Sequence, residues 1–520
     1  TIKMLVRLIL YTCNLGAVLL REHLCIMLVF LTALLASRYY LRLMKRHLPP
    51  GPWGYPLMGY LPMLDAKMHV TLTNLARQFG SIYRLRFGPK MCVVLSDPKV
   101  IKEAFRREEF AYRPVSPLYQ LLQGYGIVVA IKKESQTGPC IGSKYVCTEV
   151  EVLLQALASS KSQPMELDDH LSVATHNVIS MMLMSVRYGH DHPTLIKFKE
   201  LHDSGFRLWC SSNTVNYFHV LRHLPGYNSV LGKLKCNLSE THNMMRNIIG
   251  ERRKVFDANV TRDVLDGYLL KEHQIKEDLI SRFGNADSFN KAEYEHQIIQ
   301  VLSDMFSAGE ETVNNTLKWS LIFLLHHPKV VSKIQEELDA VVGRQRLPNM
   351  DDMSDLPYVE ATICEVLRRS SLVPLGTVHA TSRNTKLNGF DIPEGTEVIP
   401  LLYACHMDPT LWKEPEQFEP SRFLDENGAV SKPDYFFPFG VGRRICLGQV
   451  MAKAELFLIF TSILHVFNIG NPADTELPSL EGNLGATLTP SNFKICFIPR
   501  QVEKIGSFKM FPAEFRTAGL

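Results

Sequence analysis

Phe437-Pro438-Phe439-Gly440-Val441-Gly442-Arg443-Arg444-Ile445-Cys446-Leu447-Gly448 is the stretch on which the reading of the fold turns. A cysteine taken alone is most often a small buried hydrophobe. Cys446 instead sits in a glycine-rich loop, with Arg444 two residues before it and an apolar helical run, Val450 to Ile463, straight after it. At the mouth of a helix a thiolate is expected to be stabilised by the helix dipole and by free backbone N–H groups. Arg444 adds positive charge. The combination reads as a soft, anionic metal ligand.

Three further runs stand out upstream. Ala308-Gly309-Glu310-Glu311-Thr312 lies inside an apolar-periodic stretch, His296 to His326, which reads as one helix ended by Pro328. That helix would span on the order of 45 Å, the length of a whole domain core. Gly309 is expected to remove bulk so that something flat can approach the backbone. Thr312 is expected to hydrogen-bond a carbonyl one turn back, and Glu311 beside it gives an acid next to an alcohol, a pair able to relay protons. Glu365-Val366-Leu367-Arg368 is an E-x-x-R that, alone, is an ordinary i,i+3 pair on a helix. Pro420-Ser421-Arg422-Phe423 follows some fifty residues on, before the cysteine loop.

The order of these motifs resembles the cytochromes P-450. Phe439, Gly442, Arg444 and Gly448 match the spacing of that family's haem-binding loop around its cysteine. The resemblance implies a mainly α fold with a minor β region and a long central helix over the haem. It implies haem b held by Cys446 as axial ligand, a thiolate that favours O–O cleavage, and electrons from NADPH through NADPH-cytochrome P-450 reductase, with cytochrome b5 as a further donor. It assigns Ala308 and Gly309 to the haem face of the central helix, Thr312 to hydrogen-bond dioxygen, and Glu311 to proton delivery. Glu365, Arg368 and Arg422 become a buried cluster bracing the cysteine loop. His379, after Val373-Pro374-Leu375-Gly376, is assigned to a haem propionate, with Arg444 as the other propionate or loop-positioning candidate.

The chain departs from the family in one place. After Gly124-Tyr125-Gly126-Ile127 the family has a helix carrying W-x-x-x-R, which holds a propionate and lines the basic face where the reductase docks. This chain has no Trp between Trp53 and Trp209. Residues 131–146, IKKESQTGPCIGSKYV, read as non-helical, with family-like helix resuming near Thr148-Glu149-Val150. The family helix is therefore expected to be missing near 128–147.

Length, charge and cysteine spacing exclude several other classes. With 520 residues and a net charge of +4, the chain gives no argument for nucleic acid as a partner. The 11 cysteines lack CxxC or CxxH spacing, so neither a zinc site nor a disulfide framework is supported. The sequons at Asn237, Asn259 and Asn314 read as chance matches in a cytosol-facing domain. Residues 1–47 are expected to form a membrane anchor with a basic flank; a cleaved secretory signal is the rival reading, disfavoured because no A-x-A-like site follows. The apolar run from Leu24 is marginal in length for a bilayer, extended by Arg38, Tyr39 and Tyr40 at the interface. Arg42, Lys45, Arg46 and His47 keep the bulk of the chain cytosolic by the positive-inside rule. Leu48-Pro49-Pro50-Gly51-Pro52 is a stiff spacer that resembles the proline-rich hinge of microsomal members of the family. Residues 48–500 are the expected haem domain and 501–520 a tail.

Within the globule, Tyr83–Phe87 and Met91–Ser96 flank Gly88-Pro89-Lys90 as a hairpin. Helices are expected over Pro98–Phe105, Val150–Val186, Thr194–Trp209 and Leu234–Asp257, with a polar surface loop over Ser281–Glu293 and short strands after Val373.

At finer grain, LPPGPWGYPLMGY, FRREEFAYRP, FSAGEET, CHMDP and LPSLEGNLGATLTP are similar to insect microsomal enzymes, above all the ecdysteroid 26-hydroxylases. The resemblance implies hydroxylation of an ecdysteroid side chain, a hormone-inactivating step at the endoplasmic reticulum membrane. A biosynthetic 25-hydroxylase and a xenobiotic monooxygenase are the alternatives. Its pocket would draw on Arg113–Tyr125, Phe206–Tyr227, Met305–Thr312, Leu372–His379 and Thr487–Pro490. Two other classes stand beside monooxygenation. A haem-thiolate isomerase acting on peroxides is disfavoured by Glu311-Thr312. A catalytically impaired haem or steroid binder is the reading that a missing helix would favour.

Overall fold

The structure is a computed structural model and describes residues 47–114 and 139–500, together with positions 27, 30, 31, 34 and 118. Twelve α-helices occur among the described residues: α1 Met68–Phe79, α2 Pro98–Arg106, α3 Pro139–Ser159, α4 Asp168–Met184, α5 Pro193–Ser212, α6 Pro225–Lys254, α7 Val264–Phe283, α8 Lys291–His326, α9 Pro328–Val341, α10 Pro357–Ser370, α11 Leu402–His406 and α12 Gln449–Val466. The strands are β1 Ile82–Phe87, β2 Lys90–Leu95, β3 Met165–Glu166, β4 His379–Ala380, β5 Thr385–Leu387, β6 Phe390–Ile392, β7 Glu397–Pro400, β8 Phe467–Gly470, β9 Gly482–Leu484, β10 Leu488–Pro490 and β11 Lys494–Pro499. The molecule is mainly α with a minor β region.

Local chemistry sets several of these boundaries. Asp97 accepts from the N–H groups of Lys99 and Val100, and Pro98 opens α2 where its missing N–H costs nothing. Asn290 caps α8 by accepting from Glu293 N. Pro328 then ends α8 and starts α9, because the residue before a proline is pushed out of helical geometry. β1 and β2 form the expected hairpin, Phe87 opposite Lys90. β2 pairs with β7 in parallel and β7 with β4, giving the sheet order β1-β2-β7-β4. A second sheet has the order β3-β11-β8.

The main core is helical. Val313, Leu317, Trp319 and Phe323 of α8 pack with Leu456, Phe457 and Phe460 of α12, Val366 of α10, and Leu153 and Leu157 of α3. Trp319 is buried and its indole N–H donates to Leu488 O at 2.7 Å. Each such apolar side chain contributes roughly 1.5–3 kcal/mol relative to its exposed state. At 36 residues α8 is about 54 Å long, so it crosses the whole domain. α12 is apolar and long enough for a membrane, but it is mostly buried in this core.

Four expectations need correction. The segment expected to be non-helical up to Val146 is helical from Pro139 onward; proline at the first position of a helix is a start signal, and Gly142 is tolerated within. Residues 128–138, where the rest of the missing helix was expected, lie outside the described residues. The run read as one helix over Val150–Val186 is two, split by β3, because a turn at Ser160–Gln163 intervenes. α6 begins at Pro225, ahead of the expected Leu234. α7 was not expected at all, and the loop before α8 is correspondingly short.

Candidate functional site

Cys446 lies two residues before Gly448, the residue capping α12. Its N–H donates to Phe439 O at 2.9 Å, which closes the loop. Its sulfur accepts from the Gly448 N–H. Phe439, Met451 and Ala452 pack on the large helical core to which α8 and α12 both contribute. Cys446 is reachable by solvent although protein surrounds much of it, and Ile445, Leu447 and Val450 beside it are exposed apolar residues. The expected thiolate stabilisation is not what the polypeptide supplies. Burial pushes the Cys446 thiol up, and the Gly448 hydrogen bond opposes it only in part. A bound metal cation would have to deprotonate this thiol itself, as cations do.

One short segment, Phe105–Tyr112, gathers the groups around the loop. Gly442 has φ +78°, and a Cβ there would lie 2.1 Å from Phe105 O, so only glycine fits. Arg444 Nε donates to Ala111 O at 2.9 Å. His379 stacks on Phe105, ring centroids 4.1 Å apart, and its Nδ1 lies 2.7 Å from Phe110 O. A carbonyl can only accept, so Nδ1 carries the proton. Burial first, then the charges of Arg113 and Arg444, pull the His379 pKa down to about 4, against the Phe110 hydrogen bond. His379 is thus neutral at pH 7, and its remaining nitrogen, Nε2, would need a proton to pair with a carboxylate. Arg113, whose Nη1 donates to Val378 O at 2.9 Å, was not singled out by sequence reasoning. The signal for it, an arginine before Pro114, is too common to find alone. Arg113, His379 and Arg444 form a basic corner beside the thiol.

On α8, Thr312 Oγ1 donates to Ala308 O at 2.8 Å, as expected. Ala308 is exposed in the middle of a core helix. Gly309 does something other than expected: a Cβ there would lie 2.9 Å from Ile179 Cδ1, so its lack of bulk serves the close packing of α8 on α4. At Gly448, by contrast, a Cβ would meet nothing within 4 Å. Glu311 Oε1 accepts from Asn315 Nδ2 at 2.8 Å and from Thr487 Oγ1 at 3.0 Å. Neither partner was foreseen. Glu311 and Thr312 do not bond one another directly.

The structure brings the Glu365, Arg368 and Arg422 trio together. Arg368 grips Glu365 with Nε and Nη2 at 2.7 and 2.8 Å, both side chains fully buried. Arg422 Nε reaches Glu365 Oε1 at 3.3 Å, and Glu419 N donates to the same oxygen at 2.9 Å. Arg368 lies 5.1 Å over the Trp412 ring, and Trp412 and Phe423 pack on Tyr435 and Phe436, the residues that lead into the cysteine loop.

The segments expected to line a pocket join in a ring. Arg113 bonds Val378 O, Leu118 N donates to Asn216 Oδ1, the Ala486 backbone donates to Cys210 Sγ, Thr487 bonds Glu311, and Leu488 N donates to Leu372 O.

These residues fit haem. A single thiol from the protein suits an iron that arrives already held by an organic ring, exposed apolar side chains flank that thiol, and the basic corner would suit two carboxylates. Among the described residues no group of three or more His, Cys, Asp or Glu side chains is placed to hold a bare metal ion.

Comparison with known proteins gives the same direction. The family model Cytochrome P-450 matches residues 49–497. Cytochrome P-450 18a1 of Drosophila melanogaster is 42% identical over 493 residues, covering 91% of this chain and 90% of its own. Cytochrome P-450 2C3 of Oryctolagus cuniculus and cytochrome P-450 2C8 of Homo sapiens are each 33% identical, each covering 88% of this chain and 95% of their own. Matched at this length and identity, the chain belongs to the cytochrome P-450 family of monooxygenases, oxidoreductases that carry haem b and take electrons from NADPH through a reductase.

Proposed function

We propose that this monooxygenase hydroxylates the side chain of an ecdysteroid at the cytosolic face of the endoplasmic reticulum membrane, and that Cys446 is the residue that would hold the haem iron. Inserting one oxygen atom into a C–H bond consumes O2, two electrons and two protons, and the second oxygen leaves as water. Haem, when bound, supplies the oxygen chemistry. The chain supplies position, dryness and protons.

The observation that carries the reading is a solvent-reachable thiol beside a basic corner, at the start of α12, the helix that packs on α8. Arg113, Arg444 and a protonated His379 would hold the propionates. Thr312, already bonded to Ala308 O, would turn its hydroxyl to the reacting oxygen, and Glu311 would hold the proton it passes on. The Glu365–Arg368–Arg422 knot would keep the cysteine loop in register. The ring of five segments is the substrate chamber in this reading, mostly apolar with a few polar groups, as pockets for steroid-sized ligands are. The choice of an ecdysteroid rests on the sequence stretches from LPPGPWGYPLMGY to LPSLEGNLGATLTP.

Membrane attachment is supported by two patches. Met27, Phe30, Leu31 and Leu34 are helical, exposed and spaced to share one face. Trp53, Leu57, Met58, Val220 and Leu224 are also exposed. They meet at one corner, where Gly88 N donates to Met58 O and Gly88 abuts the Phe218 ring.

The test is the reduced, carbon-monoxide-bound spectrum of the purified chain, followed by ecdysteroid turnover with reductase and NADPH. A red-shifted Soret band and side-chain-hydroxylated product are expected. A thiolate-type band with no ecdysteroid consumed would overturn the substrate; no such band would overturn Cys446 as ligand in this chain. Thr312→Ala is expected to retain haem and substrate binding while diverting electrons to peroxide, and unchanged coupling would remove Thr312 from the mechanism.

A further inference from the structure

Behind the Glu311-Thr312 turn lies a buried charge cluster that no step above uses. Glu310, the residue before Glu311, points into the interface of α8 with α4 and α5 and is 4% exposed. Its Oε1 accepts from Ser172 Oγ of α4 at 2.6 Å. Its Oε2 stands 2.9 Å from Nδ1 of His202 on α5, an ion-pair distance. The other imidazole nitrogen of His202, Nε2, is buried with no hydrogen-bond partner among the described residues. The same is true of both ring nitrogens of His176 and of Ser180 Oγ on α4. Orphaned buried polar atoms of this kind are where proteins hold ordered water.

The pair is built to carry charge. Burial alone would neutralise Glu310, yet His202, the more distant His176 and Ser172 hold its pKa down to about 2. Burial likewise works against the His202 imidazolium, but Glu310, Glu311 and Asp203 raise its pKa above the ordinary value. His176, on the same cluster, is pulled down to about 4 by burial and stays neutral at pH 7. Asp203, next to His202 on α5, reaches the surface, while partial burial of its carboxyl and then the Glu310 charge raise its pKa. The groups facing His202 are therefore Glu310 and Glu311 from α8, Asp203 and Lys199 from α5, and His176 and Ser172 from α4.

We propose that His202, oriented by Glu310 and Ser172, is the proton store that recharges Glu311 from the α5 side. A carboxylate on one imidazole nitrogen fixes the ring and favours the imidazolium, leaving the other nitrogen to exchange protons, the arrangement used wherever histidine shuttles a proton between fixed partners. Nε2 of His202 gives its proton, through water, to the Glu311 carboxylate and takes another from solvent on the Asp203 side. No oxidant or reductant is involved, and the proton lost at Nε2 is the one gained at Glu311. His202 and Glu310 touch no reacting atom; they act through Glu311, so the inference rests on the proposed role of Glu311 and Thr312.

The experiment compares His202→Gln, Glu310→Gln and Thr312→Ala with the unaltered, haem-loaded enzyme plus reductase. Gln at 202 keeps a side-chain donor for Glu310 but cannot shuttle a proton. In both Gln variants the fraction of electrons ending in product is expected to fall by about tenfold, less than the hundredfold or so typical of a directly acting acid. Substrate dissociation constants and the carbon-monoxide spectrum should stay unchanged. A second readout needs no turnover. A raised histidine contributes stability fully below about pH 6.5 and loses it as pH rises through its folded value. Thermal melts of the unaltered protein should therefore lose more stability above pH 6.5 than those of His202→Gln, which lacks the histidine's share. His202→Gln with undiminished coupling while Thr312→Ala uncouples would overturn the proton store. So would melts with the same pH dependence in both proteins. Unchanged coupling in all three variants would overturn the reading of Glu311 and Thr312, and this inference with it.

Discussion

Replacing Glu365 by Gln removes one charge from the most deeply buried ionic knot near the cysteine loop, and the structure sets the size of the effect. Glu365 accepts four hydrogen bonds: two from Arg368, one from Arg422 and one from the Glu419 amide. Gln keeps the volume but has one carbonyl oxygen, and its NH2 group would face the Arg368 guanidinium, donor against donor. Arg368 retains three backbone acceptors, at His406, Pro415 and Gln417, so it is not left wholly unpaired. Breaking a buried pair by removing one partner costs about 3–5 kcal/mol, and these carbonyls favour the lower end. Unfolding entropy of about 2.1 cal/mol/K per residue over the roughly 450 matched residues gives about 0.9 kcal/mol/K. The expected drop in melting temperature is then only about 3–5 °C. The loss of haem should be larger than so small a shift suggests, because Arg368 lies over Trp412 and Trp412 packs on Tyr435 and Phe436 at the root of the loop. Arg422→Met should do less, since Arg422 reaches Glu365 by one 3.3 Å contact and its other bonds, to the Lys413, Glu414 and Gln417 carbonyls, lie at an exposed edge. The assay is a melt paired with the haem-to-protein absorbance ratio. Glu365→Gln with normal haem loading and an unmoved melt, or Arg422→Met more damaging than Glu365→Gln, would refute the account.

Gly442→Ala should abolish haem loading, since the new Cβ would sit 2.1 Å from Phe105 O at a φ of +78°; Gly448→Ala, with nothing within 4 Å, should load normally, and equal haem content in both would contradict this. Glu455 of α12 is fully buried, its Oε2 has no partner among the described residues, and burial pushes its pKa up to about 8. Stability from its neutral form is complete below about pH 4.5 and is lost as pH rises toward 8, so Glu455→Gln should raise the melting temperature at pH 8 and leave it nearly unchanged at pH 5. On the acid side, burial holds His176 and His379 to about 4 and His406 to about 3. The unfolded chain takes up these protons first, so stability should fall between about pH 6.5 and 4, by up to roughly 3 kcal/mol for each; melts flat across that window would count against their neutrality.

What the sequence made legible follows from how local the signals are. α8 could be read from His296 to its end because its apolar period is long and Pro328 stops it, while its polar first turn from Lys291 read as loop. α2 could be read because Asp97-Pro98 writes its own cap. The Glu365, Arg368 and Arg422 knot was legible through the order of motifs, not through any one of them. α7 was missed because its core-facing stripe is thin. Leu265 and Leu269 are buried, but the next turn on that face is Glu272, buried through its ion pairs with Arg253 and Lys276, and a charge there reads as surface. The start of α3 was missed because Gly138, Pro139 and Gly142 read as breakers, whereas proline at a first position is an initiator. Gly309 illustrates a different limit. That small size is needed there is visible in sequence, but what makes it necessary, Ile179 of α4, comes from a helix more than a hundred residues away.

The same limit explains why the site's organiser could not be seen at all. No residue from Phe105 to Tyr112 reads as a site residue by its own chemistry, yet the segment's backbone holds two of the three groups of the basic corner, His379 and Arg444. Phe105 O leaves room only for glycine at 442, Phe110 O fixes the His379 tautomer, Ala111 O holds Arg444, and Tyr112 O pairs with Ala380 N to carry β4 alongside. Three of these four contacts use a carbonyl oxygen to accept from a residue at least 250 positions later, so side-chain identity within the segment matters mainly for keeping it straight. Phe105 and Phe110 do that by burial in the cluster that also holds Val398 and Phe437. The cysteine loop is thereby fixed from two directions: from the knot through Tyr435 and Phe436, and from this segment through Gly442 and Arg444. For Cys446 to hold a cation, as proposed, such bracing is needed, because the polypeptide does not itself ionise the thiol and its position has to be set before a cation arrives.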